Sequence, residues 1–363
     1  MTEAAAPRIG PPPAGRRPFW SVMIPAYNRT KYLERTLVSV LSQDPGPDEM
    51  QIEVVDDVSA VEDPEPLVRR IGGARVSFVR NSRNLGLMPN FNNCIQRSVG
   101  LWVHILHTDD FVLPGFYSRL RAALEWRSDV GAAFCRHAFV DQNERLQGIS
   151  ELERPTPGIL PDAVAKIASI VRIQFPAIVV RRSVYEQLGG FRPDLLHTAD
   201  WEMWVRIAAH HPFWYEPAVL AAFRGHSASA SANLRSSGGG LAETRRCIEV
   251  SRAWLPPDRA EVISRRALEF ACITSIHEAC PDDEVLARVD ELMEITRPGP
   301  TSRSAVANVF LRAACIHHRQ QRQLRALAFL ARAVLLRPII IGRPIKLLLK
   351  RAETVPQSLP GSR

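Results

Sequence analysis

The chain has 363 residues, 46% of them hydrophobic and 23% charged, and a formal net charge of +8. That length and balance allow two domains with a large core and exclude a disordered or fibrous chain. Six scattered cysteines without a C-x-x-C pair exclude a zinc ribbon or a disulfide framework and fit reduced thiols in a cytosol.

Residues 1–18 are rich in Pro, Gly and Ala and lack the apolar stretch of a signal peptide, so they read as a disordered leader. Residues 19–24 predict a strand closed by Pro25-Ala26-Tyr27-Asn28. Thr30 then caps a helix with Leu33, Leu37, Val40 and Leu41 on one face. Residues 51–55 are a second strand ending at Asp56-Asp57, 64–71 a short helix and 75–79 a third strand. A polar loop at 84–90 precedes a helix at 91–99. The apolar run 101–106 stops abruptly before Asp109-Asp110, and a helix at 116–126 follows Pro114. Strands at 132–140 and 176–180, a helix at 200–209 and a closing pair of short strands within 213–223 complete the pattern. The alternation predicts an α/β fold, a mostly parallel sheet flanked by helices. The Ser/Ala/Gly run 227–240 reads as a domain boundary, which gives a sheet domain at 19–235, a helical region at 236–352 and a disordered tail at 353–363. No segment reaches the roughly 18 apolar residues of a membrane span.

The carboxylates carry the chemistry. In open α/β sheets ligands bind outside the carboxyl ends of the strands. The hard oxygens of Asp109 and Asp110 there suit Mg²⁺ or Mn²⁺ with a phosphorylated substrate, or else Asp110 caps the next helix. Asp56 or Asp57, at the mouth of the second strand, can accept a hydrogen bond from a base N–H or cap a helix. Arg224 suits a phosphate or a surface carboxylate. His226 offers a neutral imidazole to Mn²⁺. Asp200 stands at a helix start, as a cap or a base.

Six motifs stand in order: VMIPAYNR at 22–29, VVDDVS at 54–59, NLGLMPNFNN at 84–93, HTDD at 107–110, GGFRPDLLHTADWEMWVR at 189–206 and FRGHSASAS at 223–231. In combination, over about residues 19–232, they resemble the family 2 glycosyltransferases of the GT-A fold. The resemblance implies that Pro25, Ala26, Tyr27, Asn28 and Arg29 wrap the base and ribose of a nucleotide-sugar donor. It implies that the Asp of D-D-x-S contacts the base and that Asn84 and Gly86 flank the donor. Asn90 either contacts the sugar or caps the following helix. Thr108-Asp109 falls on the family's D-x-D motif, so Asp109 is its metal ligand, with Asp110 second choice. His226 and Arg224 approach the metal or diphosphate. Asp200 is the general base, with Glu202 as runner-up. Two departures stand out: His107 replaces the first Asp of D-x-D, and Ala199 replaces the Glu that usually precedes the base.

The implied activity is inverting transfer of a sugar from a nucleoside-diphosphate sugar to a hydroxyl of a glycan or lipid-linked acceptor, with Mn²⁺ or Mg²⁺, in surface polysaccharide biosynthesis. The acceptor would contact residues 142–174. The alternative is a catalytically impaired nucleotide-sugar-binding or scaffold protein on the same fold. Nucleic acid is disfavoured, because the basic residues lack interleaved aromatics. Twelve Lys and Arg, with no acid, lie between Glu294 and Glu353. With the helical apolar spacing of Leu324, Leu327, Ala328, Ala331, Val334 and Leu335, they predict either an anionic membrane surface as partner at 301–351 or packing on the catalytic domain. The first option puts a cytoplasmic protein peripherally on the inner face of the membrane.

Overall fold

The computed structural model describes residues 5–226, 240–278, 282–295 and 303–336. It comprises two compact units, Met1–Ser264 and Arg265–Arg363. The first is built on a sheet of ten strands in the order β3-β2-β1-β4-β9-β6-β10-β5, with β7 paired to β6 and β8 to β10. Its centre is β1 (Trp20–Ala26), buried at every residue because β2 (Met50–Asp56) and β4 (Trp102–Ile105) flank it in parallel and helices cover its faces. β3 (Ser77–Arg80) extends the parallel half. The register pairs Ala26 with Asp56, and Leu106 donates to the Met23 carbonyl. The chain therefore leaves β1, β2 and β4 at one edge, with Tyr27, Asp57 and His107 in the three exits.

The far half is mixed. β9 (Ile178–Arg181) runs antiparallel between β4 and β6 (Ala132–Val140), while β10 (Phe213–Arg224) runs parallel to β6. The expected pair of short strands at 213–223 is one strand, irregular between Glu216 and Ala221 where Pro217 can donate no ladder bond. β5 (Phe111–Val112), β7 (Leu146–Ile149) and β8 (Gly158–Ile159) are antiparallel additions at its margin.

Helices α1 (Leu33–Leu41), α2 (Glu65–Gly72), α3 (Leu87–Arg97) and α4 (Phe116–Leu124) cover the parallel half, followed by α5 (Ala163–Ser169), α6 (Arg182–Leu188) and α7 (Ala199–His210). α3 begins four residues before its expected start, since Pro89 sits in the first turn, where its missing N–H costs nothing. Helix α8 (Gly240–Ser251), expected to open the helical region, belongs to the first unit. Of the expected boundary at 227–240, residues 227–239 lie outside the described residues, as does the tail, and Gly240 opens helix α8. Residues 5–18 are not a loose leader. Ile9 is buried, Gly10 N–H donates to Gln96, Pro7 accepts from Gly190 N–H, and the Arg17 guanidinium donates to the Val99 and Gly100 carbonyls. One apolar side chain and these bonds hold a segment whose composition looks disordered.

Helix α9 (Ala260–Glu278) crosses the limit between the units. In the second unit α10 (Asp282–Ile295), α11 (Arg303–Arg319) and α12 (Gln323–Leu336) follow, with a core that includes Val289, Leu292, Phe310, Phe329 and Ala333. Cys94, Cys135, Cys247 and Cys272 are free thiols buried in α3, β6, α8 and α9, while Cys315 is half-buried. No helix among the described residues is long and apolar enough to cross a membrane.

Candidate active site

A cavity of about 660 Å³ opens at the carboxyl ends of β1, β2 and β4, of a size that accepts a ligand larger than a single sugar. One wall is the exit of β1, where Pro25, Ala26, the half-exposed ring of Tyr27 and Arg29 line the space. Asp57 forms the floor beside them. Its N–H donates to the Ala26 carbonyl at 2.9 Å. Its Oδ1 accepts from Asn81 Nδ2 and Leu85 N–H, both at 2.8 Å, and its Oδ2 accepts from Gly86 N–H at 2.9 Å. Asn84 donates to the Asp57 carbonyl, so Asn84 and Gly86 reach the cavity tied to this one residue. Gly86 turns there at φ 87°, a region that favours glycine.

Asp56 and Asn28 lie elsewhere. Asp56 is fully buried, its oxygens accepting from Ser59 and from Arg80 Nε at 2.7 Å, and it does not line the cavity. Asn28 adopts a left-handed φ of 50° and accepts from Ala60 and Val61 N–H. It fastens the loop after β2. Asn90 lines the cavity from inside α3, accepting from Asn81 and donating to the Val55 carbonyl. The N-cap position belongs to Gly86, so Asn90 is no cap.

The exit of β4 carries a denser cluster. The His107 ring lies 4.4 Å from Phe175 and 5.0 Å from Phe91, centre to centre. Burial lowers its pKa, so it is neutral at pH 7. Thr108 lines the cavity, its carbonyl accepting from Thr36 Oγ1. Asp109 Oδ2 accepts from His226 Nε2 at 2.9 Å. Burial opposes its ionisation, but that hydrogen bond and the nearby imidazoles hold its pKa below the usual carboxylate value. Asp110 is pushed well above its ordinary value, first by burial and then by the Asp109 charge. Its Oδ1 accepts from Arg224 N–H at 2.9 Å, while its Oδ2 and His107 Nε2 are buried with no partner. Asp110 caps no helix; Gly115 stands before α4.

Arg224 is not a free phosphate clamp. Its guanidinium donates to the Asp109 carbonyl and to Glu144, and it lies 4.4 Å from the Tyr32 ring centre. It holds the Asp109–Asp110 turn against β10.

Across the cavity Asp200 occupies the second position of α7, after the N-cap Thr198. Its Oδ1 accepts from Trp201 N–H at 2.7 Å, and burial pushes its carboxyl up to about 7, with the charge of Glu243 adding to the rise. Glu202 is buried in a two-point ion pair with Arg206 and does not line the cavity. Its oxygens hold the helix together.

The space thus gathers Pro25, Ala26, Tyr27, Arg29, Asp57, Asn84, Gly86, Asn90, Thr108, Asp109, Arg224 and Asp200 around one void, with His226 behind Asp109. Sequence reasoning missed Phe175 and His197 on its wall, while Gln174 ends the segment expected to contact the acceptor. His197 had a signal, three residues before Asp200. Phe175 had none, because it enters from the turn before β9, whose antiparallel place in the sheet is a long-range matter.

Residues 21–189 match the family Glycosyl transferase family 2. An uncharacterised protein of Mycobacterium tuberculosis is 28% identical over 253 residues, 67% of this chain and 77% of its own. The succinoglycan biosynthesis protein ExoO of Rhizobium meliloti is 33% identical over 125 residues, 34% of either chain. S. aureus TarS 1–349 in complex with UDP-GlcNAc shares the fold with a TM-score of 0.59 at 14% identity, over 86% of this chain and 90% of that one. The mannosyltransferase PcManGT from Pyrobaculum calidifontis, in complex with GDP-Man and Mn²⁺, does so with a TM-score of 0.52 at 16% identity, over 90% and 88%.

Proposed function

Residues 21–189 being a family 2 glycosyltransferase domain on a GT-A fold, we propose that the chain transfers a sugar from a nucleoside-diphosphate donor to a hydroxyl of a glycan or lipid-linked acceptor, with inversion. The observation that carries this reading is the placement of Asp200, titrating near neutrality, on the same cavity wall system as Asp57 and Asp109. A base is most effective when its pKa lies near the working pH. Asp200 removes the acceptor proton as the hydroxyl attacks the anomeric carbon. Tyr27 and Asp57 hold the base end of the donor. Surface polysaccharide biosynthesis is the setting, in keeping with the name of the Rhizobium relative.

A divalent cation fits the β4 exit. His107, Asp109 and Asp110 offer ligand atoms within 4.8 Å of one another, and two of those side chains carry buried atoms without a partner. Mn²⁺ or Mg²⁺ held there would neutralise charge on the departing diphosphate. The set differs from the expected one: His107 joins the two aspartates, and His226 stands behind Asp109 as its hydrogen-bond donor.

The test is a panel of nucleotide sugars incubated with the full chain and Mn²⁺, read as released nucleoside diphosphate. Asp200→Asn should collapse turnover and leave donor affinity nearly unchanged. A variant that loses affinity and keeps turnover would move Asp200 into the donor site. Binding of a donor without any release would favour the second reading, a nucleotide-sugar-binding protein, to which the replacements at His107 and Ala199 point.

For location the reading is a cytoplasmic protein on the anionic inner face of the membrane. Helix α12 supports it with two apolar faces. Ala326, Phe329 and Ala333 are buried in the second unit, whereas Leu324, Leu327 and Leu335 are 85%, 61% and 81% exposed beside exposed Arg322, Arg325 and Arg332. Apolar residues flanked by arginine suit an anionic lipid surface. The basic residues at 337–351 lie outside the described residues. Sedimentation with anionic vesicles should fall for Leu324→Glu with Leu335→Glu; equal binding by the variant would end this reading.

A further inference from the structure

Helix α7, which carries Asp200, starts without the usual side-chain cap. Thr198 is its N-cap residue, yet its hydroxyl makes no bond to the helix. The N–H of its third residue, Trp201, is taken by Asp200 Oδ1, and one oxygen of another helix fastens the N-cap residue from outside. Glu243 Oε1, in the first turn of α8, accepts from His197 N–H at 2.5 Å, Thr198 N–H at 2.8 Å and Thr198 Oγ1 at 3.1 Å. One turn further along α8, the Cys247 thiol lies 3.6 Å from the Thr198 carbonyl. In a capping box the carboxylate that accepts from the N-cap N–H comes from the third residue of the same helix. That residue here is Trp201, so the chain brings in a carboxylate from 45 residues away.

We propose that Glu243 is a positioning residue for Asp200, fixing from α8 the corner on which the base is presented to the cavity. The proposal rests on Asp200 being the base. The consequence of this fastening is geometric. His197 and Asp200 both line the cavity, on either side of the fastened corner. A carboxylate placed there also adds negative charge beside the base, which contributes to the high pKa of Asp200. The other titratable groups around Asp200 are His197 on the same wall, Cys247 on α8 and Glu202 within α7, the last already paired with Arg206.

Two substitutions separate position from charge. Glu243→Gln keeps an accepting oxygen at the same place and removes the charge. Glu243→Ala removes both. The full chain is assayed with UDP-GlcNAc and GDP-mannose, in Mn²⁺, by released UDP or GDP. Glu243→Ala should lower kcat about tenfold or more while the donor KM moves less than about twofold, the pattern of a misplaced reacting group. Glu243→Gln should retain most of kcat and move the acid limb of the pH profile to lower pH. Carboxyl ¹³C NMR, with Asp200→Asn to assign the signal, reads the same shift without turnover: the Asp200 midpoint should fall below about 7 in Glu243→Gln. An unchanged midpoint in that variant, or an unchanged kcat in Glu243→Ala, overturns the proposal. If Asp200→Asn itself retains full turnover, the base assignment has failed, and the titration still decides whether Glu243 governs this carboxyl.

Discussion

Two pairs of adjacent aspartates stand on either side of β1, Asp56-Asp57 at the end of β2 and Asp109-Asp110 beyond β4. In each pair one carboxylate lines the cavity and its neighbour is buried without lining it. The first pair is saturated. Asp56 has Ser59 and Arg80, and both Asp57 oxygens accept N–H groups. The second pair is short of partners. Asp109 has His226, and Asp110 keeps one buried oxygen with none. Buried carboxylates normally find donors, so the first pair is complete as it stands, while in the proposed reading a cation would supply what the second lacks. The same dipeptide is thus tied into its loop in one exit and left with fewer partners in the other, according to how many N–H groups the following loop turns inward.

The largest effect expected from breaking this contrast is at Asp109. Asp109→Asn should reduce turnover by about 10²-fold or more with the melting temperature little changed, because the charge proposed to hold the cation is lost while the His226 hydrogen bond can still be made to the amide oxygen. Rates near wild type in Mn²⁺ would show that the unsaturated pair receives nothing. Asp57→Asn should do the reverse. An amide would set its NH₂ against an inward N–H, so the loop at Leu85–Gly86 should lose about 2 kcal/mol, seen in a denaturation midpoint, together with donor affinity. A variant as stable as the parent would mean that the three bonds do not hold the platform.

These contrasts were legible only in part. The apolar runs that stop at Asp57 and Asp109 located both strand exits, because a buried strand has to end where charge begins. Which of Asp56 and Asp57 faces the cavity was not legible, while for the second pair the D-x-D resemblance had put Asp109 ahead of Asp110. The placement depends on Arg80 reaching Asp56 from the next strand and on Arg224 meeting Asp110 across 114 residues. Arg224 itself looked like a phosphate ligand, since a guanidinium suits phosphate and a carbonyl–carboxylate cage equally well. The antiparallel β9 was hidden for a related reason: Ile178-Val179-Val180 is equally apolar read in either direction.

Asp200 supplies a control outside both pairs. With its carboxyl near 7, kcat should rise with pH and be about tenfold below its plateau at pH 6. A flat profile from pH 6 to 8 would remove Asp200 from the proton transfer. The smallest effect is at Asp110. Its folded pKa is raised, so ionisation costs the native state stability that is present at low pH and lost as pH rises from the ordinary carboxylate value through the folded one. Asp110→Asn should therefore raise the neutral-pH melting temperature of the metal-free protein by about 2–4 °C. Added Mn²⁺ should narrow the gap by stabilising the parent. A variant that melts lower would mean that Asp110 is already satisfied.

The four buried thiols have a use of another kind. Burial raises the pKa of Cys94, Cys135 and Cys247 above that of a free thiol, so in the native state they are poor nucleophiles toward alkylating reagents. Each becomes reactive only when its own surroundings part. Cys94 lies in the helix beside the donor cavity, Cys135 in the middle of the sheet, and Cys247 against the corner that carries Asp200. Cys272 sits in the core of the second unit. Alkylation followed over time by peptide mass would resolve four separate opening rates from one unmodified sample. A donor or cation that tightens the cavity would then be visible as a slowing at Cys94 and at Cys247, with Cys272 as the internal clock.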